Sequence, residues 1–118
     1  MKPSYHLFKN SGYALKGLLN LWKSEVSFRI EAGVVCFGIA LLGYLELDFW
    51  SRLILAGSLW QILIAEAINS SIERVVDMIS PQYHPQAGIA KDVGSAIVLL
   101  TIVLTLGIWA SILWRHLG

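Results

Sequence analysis

The chain has 118 residues, is 56% hydrophobic and 14% charged, and carries a formal net charge of +1 with a mean hydropathy of +0.64. That balance is too apolar for an ordinary water-soluble domain and describes a small integral membrane protein. The nine basic residues are dispersed, so no nucleic-acid partner is expected, and the single cysteine, Cys36, excludes an intrachain disulfide and a cysteine zinc site and is expected to pack as a small hydrophobe.

Residues 1–24 come first. Lys2, Lys9, Lys16 and Lys23 recur at a heptad spacing, which on a helix drifts only about −20° per step and puts the amines on one face. Leu7, Phe8, Tyr13, Leu15, Leu18, Leu19, Leu21 and Trp22 fall between them, which predicts an amphipathic helix lying in the headgroup plane. A soluble helix packed on a partner would show the same pattern. The segment lacks the apolar core and small-residue cleavage site of a secretory signal.

Three apolar spans follow, expected over about 28–46, 50–79 and 88–114 by the length needed to cross a bilayer. The third contains an uncharged run from Val93 to Trp114. Ser80-Pro81 ends the second span, because the residue before proline is driven out of the helical region and proline has no donor to continue. SPQYHPQAG, residues 80–88, then reads as a polar turn. No internal repeat interrupts the chain, so residues 1–118 are expected to form one membrane domain. Lysine and arginine crowd the amino-terminal segment and flank the second connection at Arg74 and Lys91, which predicts that both are cytoplasmic. Trp50, Trp109 and Trp114 would then share the outer interface.

The second span carries the chemistry. Glu66, Asn69, Glu73 and Asp77 project at roughly 0°, −60°, −20° and +20° around the helix and form one polar stripe. A carboxylate near the bilayer centre costs about 2.5 to 3.5 kcal/mol, which makes such a stripe a candidate functional site. By rise per residue Glu66 lies roughly 24 Å and Glu73 roughly 35 Å below Trp50, so the stripe crosses the cytoplasmic boundary of a core about 30 Å thick. Glu25 is as far along the chain from Asp48 as Glu73 is from Trp50, and Lys91 and Asp92 reach the same level on the third span. One plane therefore gathers Glu25, Arg29, Glu31, Glu66, Asn69, Glu73, Arg74, Asp77, Lys91, Asp92 and Ser95.

Several carboxylates, an amide and a lysine suit a hard cation held together with phosphate, and hence phosphoryl transfer. Glu66, the deepest carboxylate, fits a general base for a lipid hydroxyl. No phosphate loop, GxGxxG, HExxH or serine elbow is present. The residues alone leave open a metal-assisted interfacial enzyme, an ion or proton pathway, and a structural polar interface. Ile62, Leu59 and Leu55 continue the face beyond Glu66, which weakens the pathway.

AEAINSSIERVVD at 65–77, AKDVGSAIVLL at 90–100, SGYALKGL at 11–18 and the E-x-x-F-R-x-E run from Glu25 to Glu31 together resemble the prokaryotic diacylglycerol kinase family over nearly the whole chain. The resemblance implies an all-α membrane protein, with a surface helix and three transmembrane helices, that forms a homotrimer with active sites between subunits. It implies ATP- and Mg2+-dependent phosphorylation of diacylglycerol to phosphatidic acid at the cytoplasmic face of a bacterial inner membrane, with undecaprenol as the alternative lipid alcohol. By motif, Glu66 would be the base, Glu25 and Glu73 the Mg2+ ligands, and Asn69 the supporting amide. ATP contacts would come from Tyr13, Glu25, Glu73, Gln82, Tyr83, His84, Lys91 and Asp92. His6 joins them where relatives commonly carry a firmer cation. Ser27, Phe28, Arg29, Ile30, Glu31, Glu66 and Ser95 would face the lipid substrate.

Overall fold

The computed structural model describes residues 6–118, and every regular element among them is helical. Lys2 and the expected start of the surface helix lie outside the described residues. Helix α1 spans Leu7–Ser24, α2 Val26–Tyr44, α3 Phe49–Ile79 and α4 Pro85–Leu117. The last three are long and apolar enough to cross a membrane. At 31 residues α3 is about 46 Å long, more than a hydrocarbon core of about 30 Å, so its polar end has room to stand in the headgroup region.

The helix ends follow local chemistry in two places and tertiary contacts in a third. Asp48 caps α3, its carboxylate accepting from Ser51 N at 3.3 Å and from Ser51 Oγ at 2.6 Å. Hydrogen bonds from Ser51 hold the Asp48 carboxyl below its usual range. Helix α4 begins at Pro85, earlier than the expected third span, because proline tolerates the first turn and His84 Nδ1 accepts from Gln86 N at 3.1 Å. Between α1 and α2 the chain breaks at Glu25 alone, which is extended at φ −114° and ψ 108°, with neither proline nor glycine to cause it. There Arg29 Nη1 reaches back to the carbonyls of Trp22 at 2.6 Å and Lys23 at 3.2 Å, satisfying acceptors that the end of α1 leaves open.

Helix α3 is the centre of the fold and packs on both α4 and α2, while α1 rests against α2. Of the apolar windows, 44% of α3 is buried but only 6% of α4, whose Leu99, Leu100, Val103, Leu104 and Leu106 face outward. The core is a seam of Phe28, Val35, Leu42, Leu55, Leu59, Ile62 and Ala65. Gly38 allows α2 and α3 to approach closely, since a Cβ there would stand 2.5 Å from Leu59 Cδ1.

The upper halves of α3 and α4 are joined by a polar knot. Trp109 Nε1 donates to Ser58 Oγ at 3.0 Å, Ser58 Oγ to Leu55 O at 2.6 Å, and Thr105 Oγ1 to Ser58 O at 3.0 Å. Trp109 is therefore turned into the helix pair about 12 Å along α3 from Trp50, not arrayed with Trp50 at the interface as expected, because its N–H finds a partner there that lipid cannot supply. Cys36 faces outward from α2 and does not enter the core.

Candidate active site

Helix register brings the polar residues together. Along α2 and α3, Gly38 lies against Leu59 and Glu25 against Ser70, so Glu31 falls opposite Glu66 between them. Along α3 and α4, Thr105 lies against Ser58 and Gly94 against Asn69, which carries Ser95 past the level of Glu66. The two antiparallel pairings converge on the lower half of α3.

They line an open cavity of about 310 Å³ formed by Glu25, Ser27, Glu31, Glu66, Asn69, Glu73, Ser95 and Val98. Glu66 and Asn69 are 6% and 8% exposed. The carboxyl groups of Glu31 and Glu66 are close enough to hydrogen-bond when one of them carries a proton. Asn69 Oδ1 and Glu31 Oε2 are buried without a hydrogen-bond partner among the described residues. Glu25 Oε1 accepts from Ser70 Oγ at 2.9 Å and from Arg74 Nη2 at 3.2 Å.

This donor set is hard oxygen throughout, which fits Mg2+ and not a soft metal. Among the described residues no three of His, Cys, Asp and Glu converge to cage a metal ion by themselves. Mg2+ takes one or two protein carboxylates and completes its shell with water and phosphate oxygens. An apolar groove of about 400 Å³ shares Glu31 with the polar cavity and runs past Val34, Phe37, Leu41, Leu59 and Ile62 to Trp109.

Of the residues singled out in the sequence, Glu25, Ser27, Glu31, Glu66, Asn69, Glu73 and Ser95 line this one cavity. The others stand apart from it within the chain. Lys91 Nζ pairs with Asp77 Oδ1 at the rim, and Asp92 is exposed. His6 and Tyr13 belong to the α1 region, His6 being its N-cap, and Gln82, Tyr83 and His84 form the exposed turn before α4. Phe28 is buried in the core, Ile30 points outward, and Arg29 is committed to the end of α1. The sequence singles out no role for Ser70 and places Arg74 only in the common polar plane, yet both hold Glu25. Their i, i+4 spacing, which puts them on one face of α3, is the available signal.

The sequence profile of the family described as prokaryotic diacylglycerol kinase matches residues 12–113. The chain belongs to that family. The diacylglycerol kinase of Escherichia coli (strain K12) is 39% identical over 112 residues, covering 95% of this chain and 92% of the relative. Those of Haemophilus influenzae (strain Rd) and Pseudomonas aeruginosa (strain PAO1) are 33% and 34% identical, over 92% and 87% of this chain and 92% and 84% of their own lengths. The motif resemblance, the all-helical membrane fold and the kinase class thus agree, and as a member of a kinase family the chain uses ATP.

Proposed function

We propose that this kinase transfers the γ-phosphate of ATP, bound with Mg2+, to the free hydroxyl of diacylglycerol, forming phosphatidic acid at the cytoplasmic face of a bacterial inner membrane. The observation that carries this reading is the junction at Glu31, where the carboxylate cavity meets the apolar groove. A lipid alcohol has the same two-part character, a polar hydroxyl on an apolar tail.

In this reading the hydroxyl lies beside Glu66, which accepts its proton as the oxygen attacks the γ-phosphorus. The bond from that phosphorus to the oxygen of ADP breaks, and ADP leaves with the electron pair. Glu31 keeps the Glu66 carboxyl in place from α2, and Asn69 stands one turn further along α3 with its Oδ1 against Gly94 of α4. Glu25 and Glu73 would hold Mg2+, which when bound would neutralise the phosphate charge. Lys91 and Asp92 at the rim, with His6, Tyr13, Gln82, Tyr83 and His84, make up the nucleotide side.

Those nucleotide residues stand away from the cavity within one chain, and α4 leaves its apolar face outward. Both features support a homotrimer in which a neighbouring copy completes each site. Lysine and arginine near the α1 and α3–α4 ends favour placing them in the cytoplasm.

The test is a phosphotransfer assay on purified protein with labelled ATP and Mg2+, offering diacylglycerol and undecaprenol side by side. Label passing to diacylglycerol with ADP formed in equal amount is the expected result. Transfer confined to undecaprenol would move the substrate to that alcohol. Ion flux in reconstituted vesicles with no ATP consumed would replace the kinase reading with a pathway.

A further inference from the structure

One guanidinium ties three parts of the elbow together. Arg74 of α3 donates through Nη1 to Asn20 Oδ1 at 2.6 Å, and through Nη2 to Ser24 Oγ at 2.7 Å and Glu25 Oε1 at 3.2 Å. Asn20 and Ser24 lie near the end of α1, and Glu25 is the single extended residue between α1 and α2. Ser70, one turn before Arg74, donates to the same Oε1 at 2.9 Å. Among the described residues both contacts on Glu25 therefore fall on one oxygen, which leaves Oε2 for another ligand.

Nothing in the local sequence forces the chain to break at Glu25, so the direction of its carboxylate depends on what holds the elbow. We propose that Arg74 is a positioning residue for Glu25, clasping one carboxylate oxygen and the end of α1 so that the other oxygen is presented to a divalent cation bound with nucleotide phosphate. This rests on the kinase reading above. A planar fork suits the task, since it reaches several acceptors in fixed directions where a lysine is a single point of charge. Groups that orient a metal ligand without touching the metal typically change metal affinity by about 10–100-fold when removed.

The experiment compares wild type with Arg74→Ala, Arg74→Lys and the double variant Asn20→Ala/Ser24→Ala, which keeps the cation but cuts two of its three anchors. Each is first checked for elution as the wild-type oligomer. If Arg74→Ala fails that check, the double variant decides the question. Two readouts are taken: Mn2+ binding with a non-hydrolysable ATP analogue by electron paramagnetic resonance, and phosphotransfer as a function of Mg2+.

The expected result is Mn2+ binding weaker by about tenfold in Arg74→Ala, and weaker to a lesser degree in the double variant. The half-saturating Mg2+ concentration rises in parallel, with kcat at saturating Mg2+ within about twofold and KM for the lipid unchanged. Arg74→Lys recovers less than half of the lost affinity. Unchanged Mn2+ binding would overturn the proposal. So would tighter binding in Arg74→Ala, which would make the arginine a mere competitor of the metal, and so would full recovery with lysine, which would make charge alone sufficient. Wild-type protein that binds no Mn2+ with nucleotide would instead sink the kinase reading.

Discussion

Gly94 of α4 lies so close to Asn69 of α3 that a Cβ at position 94 would stand 2.5 Å from Asn69 Oδ1. The buried amide at the back of the carboxylate cavity is thus set in place by the missing side chain of another helix. Gly94→Ala must push the amide or the whole of α4 aside, and such overpacking typically costs about 1–3 kcal/mol. Phosphotransfer is expected to fall at least about tenfold, the equivalent of roughly 1.4 kcal/mol. Gly17→Ala, on α1 at a position with open space around it, is the control and should stay near wild type. Equal rates in the two variants would remove Asn69 positioning from the account.

Glu66→Gln keeps the size of the side chain and takes away the proton acceptor. Turnover in the labelled-ATP assay should drop by about 10²–10⁴, the usual contribution of a general base. Elution in detergent and Mn2+–nucleotide binding should match wild type, because Glu25 and Glu73 are untouched. A rate within threefold of wild type would transfer the role of base to another group, with Glu31 the first to test.

The knot of Trp109, Ser58 and Thr105 is predicted to hold the α3–α4 pair without touching the chemistry. Ser58→Ala and Trp109→Phe each break the 3.0 Å bond between them, and the double variant should cost less than the sum of the singles. Interhelical hydrogen bonds in membrane proteins average about 0.6 kcal/mol by such cycles, with a ceiling near 1.7. Unfolding in a graded detergent mixture measures the coupling. A coupling of zero would mean that the bond adds nothing to the pairing.

Asp48 lies outside the membrane-spanning helices, and its carboxyl is held below the usual range by the hydrogen bonds from Ser51. A lowered folded value means that the cap stabilises α3 fully above the ordinary aspartate pKa of about 3.9, and that this is lost as pH falls through the folded value. Wild type should therefore lose stability below about pH 4 relative to Asp48→Asn, whose amide cap does not titrate. Parallel unfolding curves between about pH 2.5 and 6 check it. The effect is small because Asp48 is fully exposed.

Much of the fold is legible in the order of residues. Apolar runs must hide their backbone polar groups in helices within lipid, so spans over about 28–46, 50–79 and 88–114 follow from hydropathy and proline, within a few residues of the helices Val26–Tyr44, Phe49–Ile79 and Pro85–Leu117. The polar stripe is legible for the same reason, since helical spacing alone puts Glu66, Asn69 and Glu73 on one face. The elbow at Glu25 is not, because no breaker residue marks it and its bonds come from Arg29 and Arg74, the latter on another helix. Trp109 escapes a reading by sequence for a related reason: an indole can sit at an interface or against a buried hydroxyl, and only the neighbouring helix decides which.

By itself, then, the chain determined the membrane spans to within a few residues, the membrane setting and the shared helix face of Glu66, Asn69 and Glu73, all of which depend on distance along one segment. Tertiary structure alone decided which carboxylates share a cavity, which atoms of Glu25 are occupied, and how closely α4 approaches Asn69. Those depend on the rotation and register of one helix against another, which are set by the side chains that meet at Gly38, Gly94 and Ser58 and by no periodicity within a single segment.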